Sequence, residues 1–329
     1  MKKYFFTCCI FFQAVIIDAQ FNADEDPFLV RSLIHESIKT AEINAIGGNI
    51  SFIGSRVADF RVEVYTRPDG STRDDLSKQD IEKILKQEYD LNIVVKSNKL
   101  MVSVIRKKSG GTQPLSISFK VFIPENISSS LFTQGGNIML KNVFGLQDFK
   151  TSGGNLYIDS VHGTVTGHTS GGNIMVNNSG GKIILESSGG DIMAEKISGV
   201  IDIQTTGGSV DGDNIDGELT AKTSSGNISF AQLTCSIDVS ATGGDIDIKL
   251  NQLKKNGRII NSSGTINIEI PAAEHLDLDM TAYKIKTNDL RNFKGDISDK
   301  RIIGKLNGGG IPLFVKAGNG EIFFQQKNK

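Results

Sequence analysis

Three aspartates stand close together in one short stretch and could bind a metal ion. Asp211, Asp213 and Asp216 all lie within residues 210–217, and clustered carboxylates suit calcium, which takes about six to eight oxygen ligands. The stretch lacks the final glutamate of a helix–loop–helix calcium loop, and it does not match the Gly-Gly-x-Gly-x-Asp repeat of calcium-binding solenoids. Aspartate also forms turns by bonding its own backbone. We interpret the three as turn residues, with weak calcium binding as the alternative.

Two histidines could contribute to a zinc site. His162 and His168 flank a predicted strand. A zinc site needs at least three protein ligands, and no third ligand is evident beside them. The sequence therefore predicts no metal and no other cofactor.

Pairs of aspartates raise the alternative of a carbohydrate-active β-helix enzyme. Asp202 with Asp238, or Asp211 with Asp247, lie 36 residues apart. In a stack of coils this is two layers, about 9.6 Å at the usual strand spacing. Glycan cleavage also needs basic groups that converge on the same face. The basic residues nearby are isolated in the sequence: Lys182 and Arg258. We predict no catalytic residue.

One cysteine, Cys235, would remain after removal of the predicted export signal, which contains Cys8 and Cys9. No internal disulfide could then form. A reactive cysteine needs a neighbour that stabilises its thiolate, and no histidine stands near Cys235 in the sequence. We expect a small, packed thiol.

The candidate residues named above belong to a sequence repeat, and the repeat determines their positions in the fold. A motif of the Gly-Gly-Asn-Ile type recurs every 18 residues, starting at residues 135, 153, 171, 189, 207, 225 and 243, and once more after a step of 20, at residue 263. Glycines at residues 145, 163, 181, 199 and 217, then Cys235, mark a second position in each period. A fixed short period indicates one unit stacked on its own copies. Because glycine reaches positive φ without steric cost, each period reads as two short strands and two glycine corners.

Aliphatic residues occupy the same positions in every coil. The position after the polar corner holds Ile138, Leu156, Ile174, Ile192, Val210, Ile228, Ile246 and Ile266. The other strand has its own column: Val165, Ile183, Ile201, Leu219 and Ile237. Stacking joins such columns into a narrow core. The sequence predicts an all-β fold, a β-solenoid like a parallel β-helix, with two-strand coils of 18 residues.

Polar residues form ladders at the corners. A Thr/Ser series begins at Thr133 and an Asn/Asp/Ser series at Asn137, and both repeat every 18 residues. We expect these side chains to hydrogen-bond to their copies one coil away, as in cross-β stacks. This is a structural role rather than a binding role.

The outward column on the first strand changes character halfway along the stack. Its first four residues, which we name the methionine stripe, are Met139, Tyr157, Met175 and Met193; the next four are Asp211, Ser229, Asp247 and Asn267. Apolar residues on a face that should meet water mark a covered surface or an interaction site. Either the N-terminal section or its helix packs on the stripe, or a partner or a second copy does, or the face simply tolerates apolar side chains.

Residues 1–19 have the features of an export signal. Lys2 and Lys3 precede a largely apolar run that ends at Ile17, and Ala19 is a small residue suited to cleavage. The run is short for a membrane span, so we expect no transmembrane segment after cleavage and a location in the periplasm or at the cell surface. The formal net charge of −1 gives no electrostatic argument for nucleic acid.

Three sections follow the signal: an irregular N-terminal β section at 20–130, the regular coils at 131–270, and closing coils at 271–329. The N-terminal section includes an early Gly-Gly-Asn-Ile at 47–50, which predicts a first coil there. A helix is predicted at 77–90 as an insertion, because Ser77 can cap it and apolar residues follow at helical spacing.

The order of these pieces resembles the bacterial putative-adhesin family of β-strand-repeat envelope proteins. The matching parts are the export signal, the strands Phe60–Tyr65 and Leu100–Ile105, the run of Gly-Gly-Asn/Asp-Ile coils, and the glycine-rich ending at 304–322. The resemblance implies a β-solenoid in the cell envelope and suggests adhesion. It supplies no catalytic or binding residues.

We therefore expect an exported, non-catalytic β-solenoid, either an adhesin or a structural or interaction protein of the envelope. Its partner would be a glycan or another envelope protein, and self-association stays open. The alternatives are a carbohydrate-active enzyme and a periplasmic scaffold or signalling accessory. Carboxylates converging in a groove would favour the enzyme, and a flat face of Ser, Thr and Asn would favour the adhesin.

Overall fold

The computed structural model describes residues 26–68, 76–108 and 114–327. Within these ranges the chain forms 25 strands and one helix. The predicted export signal lies outside the described residues.

The regular coils stack in register as two parallel faces. Their strands are β8 Ser128–Thr133, β9 Ile138–Lys141, β10 Phe144–Thr151, β11 Leu156–Asp159, β12 His162–Thr169, β13 Ile174–Asn177, β14 Gly180–Ser187, β15 Ile192–Thr205, β16 Val210–Thr223, β17 Ile228–Ala241, β18 Ile246–Asn261 and β19 Ile266–Ile270. Face A holds β9, β11, β13, the first halves of β15 to β18, and β19. Face B holds β8, β10, β12, β14 and the second halves of β15 to β18. Pairing is parallel with a step of 18 residues from β8 to β17. The predicted β-solenoid is confirmed.

Glycine is required at the two kinds of corner for different physical reasons. The glycines of the second series do adopt positive φ, from 109° to 130° at Gly145, Gly163, Gly181, Gly199 and Gly217. At the Gly-Gly corners our explanation by positive φ is wrong for the first coils. There, a Cβ on Gly154 would lie 2.0 Å from the carbonyl oxygen of Gly136. The second glycine is needed because neighbouring coils touch at this point.

A third corner, which the glycine pattern does not reveal, separates face A from face B. In most coils the residue at this corner has a left-handed backbone conformation although it is not glycine. These residues are Asn142, Ser160, Asn178, Lys196, Asn214 and Gln232. The residue that follows points inward and is buried: Val143, Val161, Ser179, Ile197, Ile215 and Leu233. This adds a core column that the sequence analysis missed.

The polar ladders bond to backbone groups of adjacent coils. Thr169 Oγ1 donates to the Gly154 carbonyl (2.8 Å) and accepts from the Gly172 N–H (3.1 Å). Asn155 Oδ1 accepts from the N–H of Asn173, its copy in the next coil (2.8 Å). Asparagine thus bonds to its copy as expected, whereas threonine bonds to a glycine of the preceding coil. The ladders satisfy buried turn groups that would otherwise be costly.

The N-terminal section covers the first end of the stack. Its elements are β1 Leu29–Ser32, β2 Thr40–Ala45, β3 Ile50–Ser55, β4 Arg61–Pro68, α1 Lys78–Glu88, β5 Tyr89–Lys96, β6 Lys99–Arg106 and β7 Leu115–Pro124. Strands β2 and β3 form a first coil that pairs directly with β8 and β9. The segment that follows β3 and precedes β8 lies outside this first coil, at the end of the stack. In it, β6 pairs with β2, and β7 pairs with β3.

Helix α1 closes the core between the two faces. Ser77 is its N-cap and forms a capping box with Asp80, which satisfies free N–H groups of the first turn. Leu85 is buried in the main core, and Ile81 and Ile84 pack against it. The observed helix lies inside the predicted interval 77–90. Among the described residues, no helix is long and apolar enough to cross a membrane.

The C-terminal section covers the other end in the same way. Its strands are β20 Leu276–Thr281, β21 Lys284–Thr287, β22 Phe293–Ile297, β23 Arg301–Leu306, β24 Ile311–Ala317 and β25 Glu321–Gln326. The last strands in sequence, β24 and β25, stack directly on β18 and β19. Strands β20 to β23 lie beyond them, with β20–β23 and β22–β23 antiparallel.

Candidate functional site

The methionine stripe is a continuous column on the outer side of face A. Tyr157 pairs with Met139 on one side and Met175 on the other, and Met175 pairs with Met193. The stripe points outward because its neighbours along each strand point inward; Ile174 and Val176, for example, are buried. Met139 is 9% exposed, and the other three are half-buried.

The N-terminal section extends the stripe's column rather than packing on top of it. Ser51 of β3 pairs with Met139, and Lys120 of β7 pairs with Ser51. The main contacts of β9, β11 and β13 are with neighbouring strands of the solenoid, and α1 contacts β5 instead. At the end of the stripe that borders the N-terminal section, Met139 is 9% exposed and Ser51 is fully buried, whereas Tyr157, Met175 and Met193 are half-buried.

Beyond Met193 the column becomes polar, beginning with Asp211. This carboxyl is half-buried, and its burial, together with the nearby Asp191, raises its pKa above the ordinary aspartate value. The apolar half of face A therefore ends at a partly desolvated acid.

The other two aspartates of the calcium alternative have partners of their own. Asp213 accepts from the Gln232 amide (3.1 Å), and Asp216 forms an ion pair with Lys254 (2.8 Å). Within the part of the chain that the structure describes, no group of three or more His, Cys, Asp or Glu side chains is placed to hold a metal ion.

The aspartate pairs of the enzyme alternative lie two rungs apart, as the period predicts. Asp202 and Asp238 both pair with Thr220 on the rung between them. Arg258, which looked isolated in the sequence, is in contact with Asp238 (2.9 Å). The two extra residues in the step of 20 shift the register of β18 and bring Arg258 opposite Asp238. Asp238 is therefore neutralised by an ion pair.

Both histidines have separate surroundings. The His162 ring lies edge-on to the Phe144 ring, with centroids 5.4 Å apart. His168 Nδ1 lies 3.6 Å from a carboxylate oxygen of Glu186. Each histidine therefore contacts a neighbouring side chain on the surface of the coils.

Cys235 is fully buried, as expected for a packed thiol. Burial raises its pKa to about 12, with a smaller contribution from Asp216. At neutral pH the group is a thiol and a poor nucleophile.

A polar channel of about 420 Å³ follows the turn edge of face B. Hydroxyl groups from successive turns line it, together with two charged residues. The main lining residues are Ser188, Thr206, Ser224, Thr242, Glu186 and Lys222. This edge of face B is thus rich in hydroxyl groups.

A known protein family shares this stack of coils and both of its end sections. Residues 32–322 match the family described as Toastrack DUF4097. The chain belongs to this family. The match spans both end sections and all regular coils, and it confirms the family resemblance seen in the sequence. None of the curated proteins matches the chain.

Three solved structures are similar to this Toastrack chain. The first, described as a putative cell adhesion protein from Clostridium sporogenes, is 14% identical, covers 91% of this chain and 98% of its own, and has a TM-score of 0.21. A putative adhesin from Parabacteroides distasonis is 14% identical over 91% and 95%, with a TM-score of 0.40. A putative adhesin from Bacteroides fragilis is 15% identical over 91% and 96%, with a TM-score of 0.30.

Proposed function

We propose that this protein is an exported, non-catalytic interaction module of the cell envelope, either an adhesin or a structural protein. The observation that carries the proposal is the methionine stripe. Four rungs of face A carry apolar side chains on the outside of the sheet; Met139 is buried, and Tyr157, Met175 and Met193 are partly exposed. Partly exposed apolar side chains in a continuous column are typical of a surface that contacts another molecule.

The chemistry of the rest of the surface supports binding over catalysis. Of the aspartates two rungs apart, Asp238 forms an ion pair, and Asp202 and Asp247 accept amide hydrogen bonds. The one cysteine in the described chain is a buried thiol. The channel on face B is lined by hydroxyls, which suits recognition of a polar partner such as a glycan.

Substitution in the stripe tests the proposal. Met175→Lys places a charge at the centre of the stripe, so we expect binding to the envelope partner, or self-association, to be lost. Because the side chain faces outward, the free energy of unfolding should change by less than about 0.5 kcal/mol. Thermal unfolding, analytical ultracentrifugation and binding to isolated envelope fractions measure these effects.

Ser229→Lys is the matched control, since Ser229 lies in the same column on the polar half. It should leave both stability and binding unchanged. A marked loss of stability in Met175→Lys alone would mean that the chain itself covers the stripe, and the proposal would fail.

Export is tested separately by protease digestion of tagged protein on intact and on lysed cells. Digestion on intact cells would support the adhesin at the surface. Protection until lysis would support the structural or scaffold role in the periplasm. Protection that persists when only the outer envelope is opened would contradict export.

A further inference from the structure

The change from a step of 18 residues to a step of 20 builds a small feature on face B. Between β17 and β18, Cys235 pairs with Leu253, but Ile237 pairs with Gly257. Three residues, 254–256, therefore stand opposite Ser236 alone. The two extra residues must leave the plane of the sheet, and they form a bulge.

Two ion pairs fold this bulge back over the preceding coils. Lys254 Nζ reaches Asp216 (2.8 Å) and Lys255 Nζ reaches Glu218 (2.5 Å). Both acids lie on the coil before that of Ser236. The bulge accordingly covers Ser236, which is only 7% exposed.

Beneath the bulge lies a pocket of about 190 Å³, which we name the bulge pocket. Its lining residues are Glu218, Leu219, Thr220, Ser236, Ile237, Asp238 and Asn256. The hydroxyl of Ser236 is buried and has no hydrogen-bond partner among the described residues. A buried polar group without a partner costs about 1–3 kcal/mol, so such a group calls for an explanation, and a ligand that bonds to it supplies one.

The charges around the pocket indicate which ligand fits. Glu218 is paired with Lys255, and Asp238 with Arg258 (2.9 Å). A metal ion would meet the Lys255 ammonium beside Glu218 and the Arg258 guanidinium beside Asp238, and an anion would meet the two carboxylates. A neutral ligand avoids both repulsions.

The remaining polar groups suit a ligand rich in hydroxyls. Carboxylate oxygens accept hydrogen bonds, the Asn256 amide both donates and accepts, and the hydroxyls of Thr220 and Ser236 do the same. Adjacent hydroxyls on a sugar ring need such a mixture of donors and acceptors. The pocket is small and open on one side, which limits the bound part to about one ring.

We propose that the bulge pocket binds one pyranose ring of a neutral sugar, with Ser236 and Asn256 hydrogen-bonded to its hydroxyls. The source is either a free monosaccharide or the terminal residue of a glycan chain, since both present the same group. The pocket lies on face B and is separate from the methionine stripe, so this inference stands or falls independently of the proposed function.

Ligand binding to the purified chain tests the inference. Saturation-transfer difference NMR with a panel of neutral methyl hexopyranosides reports free sugars, and a neutral glycan array reports chain ends. We expect at least one sugar to bind, and Ser236→Ala and Asn256→Ala to weaken that binding at least about tenfold. Response to both probes identifies a free sugar as sufficient, and response to the array alone identifies a chain end.

Ser229→Ala is the matched control, because it removes a serine hydroxyl from the same strand outside the pocket. It should bind sugar as the unaltered chain does. Deletion of Lys254 and Lys255 restores the period of 18 and removes the bulge that covers the pocket. We expect this variant to lose sugar binding and to remain a folded solenoid, as measured by thermal unfolding. Absence of binding to both panels, or binding that persists in Ser236→Ala and Asn256→Ala, would overturn the proposal.

Discussion

The second glycine of a Gly-Gly corner shows how a single residue controls the stacking of coils. At Gly154 the missing side chain leaves room for the backbone of the preceding coil, whose carbonyl would lie 2.0 Å from a Cβ. At the adjacent Gly153 a Cβ would find its nearest neighbour 4.0 Å away. Of these two consecutive glycines, only Gly154 is required for the close contact between coils.

Gly154→Ala should destabilise the solenoid, because the new methyl group collides with backbone that cannot rotate away. Overpacking of this kind costs about 1–3 kcal/mol or more, and we expect about 3 kcal/mol. Urea unfolding monitored by circular dichroism measures the change. Gly153→Ala is the control and should cost much less. Equal losses in the two variants would contradict a role for coil contact at this corner.

Asp211 introduces a pH dependence at the end of the methionine stripe. Its pKa is raised in the folded state, mainly by burial, so the folded state holds the proton more tightly than the unfolded state. The resulting penalty is absent below the ordinary aspartate pKa and develops as the pH rises through the folded pKa.

Asp211→Asn removes that penalty. We expect the variant to be more stable than the unaltered chain at pH 7, on the order of 0.5 kcal/mol for a half-exposed group, and the gain to vanish near pH 3, roughly one unit below the ordinary value. Urea unfolding across this range tests it, with Asp148→Asn on face B as the control. A gain that stays constant with pH would refute burial of the Asp211 carboxylate as its cause.

Residue-level features were predictable from the sequence where they follow the period. The aliphatic columns and the Asn ladder required only counting in steps of 18. The contact between Arg258 and Asp238 did not follow from counting, because the bulge at 254–256 moves Arg258 by two positions. The column of Val143 was hidden because its corner uses Asn142 in place of glycine.

At the level of elements, α1 acts as a plug rather than as a free insertion. It connects β4, at the end of face A, to β5, at the end of face B, and its buried Leu85 joins the core. Each coil buries its apolar residues only against its neighbours, so the first coil needs such a cover. The sequence identified the helix and its Ser77 cap but could not place it, since its apolar face fits any exposed core.

Leu85→Ala should destabilise this end of the solenoid selectively. A buried Leu→Ala change costs about 2–5 kcal/mol, and in a stack of repeats the loss is felt mainly by adjacent coils. Hydrogen exchange should accelerate in β2 and β6 while β16 and β17 keep their protection. Gln87→Ala, on the exposed side of α1, is the control. Uniform acceleration throughout the chain would rule out the local role.

Across the whole molecule, both ends are closed by the same device. The first coil, β2–β3, and the last, β24–β25, stack directly on the regular coils, and the chain makes an excursion beyond each of them. The sequence indicated coil-like motifs at both places, because they carry the Gly-Gly-Asn-Ile signature or a variant. The spatial order was not predictable, since strands that pair need not follow one another along the chain.

This arrangement matters for function because it protects the ends of the stack and leaves the sides open. Unpaired strand edges invite aggregation, and β22 at one end carries Lys294, Gly295 and Asp296, residues that discourage further pairing. The open sides are faces A and B, and the methionine stripe lies on face A.

The most direct test of the central claim is photo-crosslinking from the stripe in the native cells. A benzophenone amino acid in place of Tyr157 keeps an aromatic ring at that position, and the same probe at Ser229 serves as the control. We predict a crosslink from position 157 to a second molecule, absent from position 229 and lost when Met175→Lys is added. A crosslink from position 157 back into the same chain, or none at all, would contradict the claim that the stripe is an interaction surface.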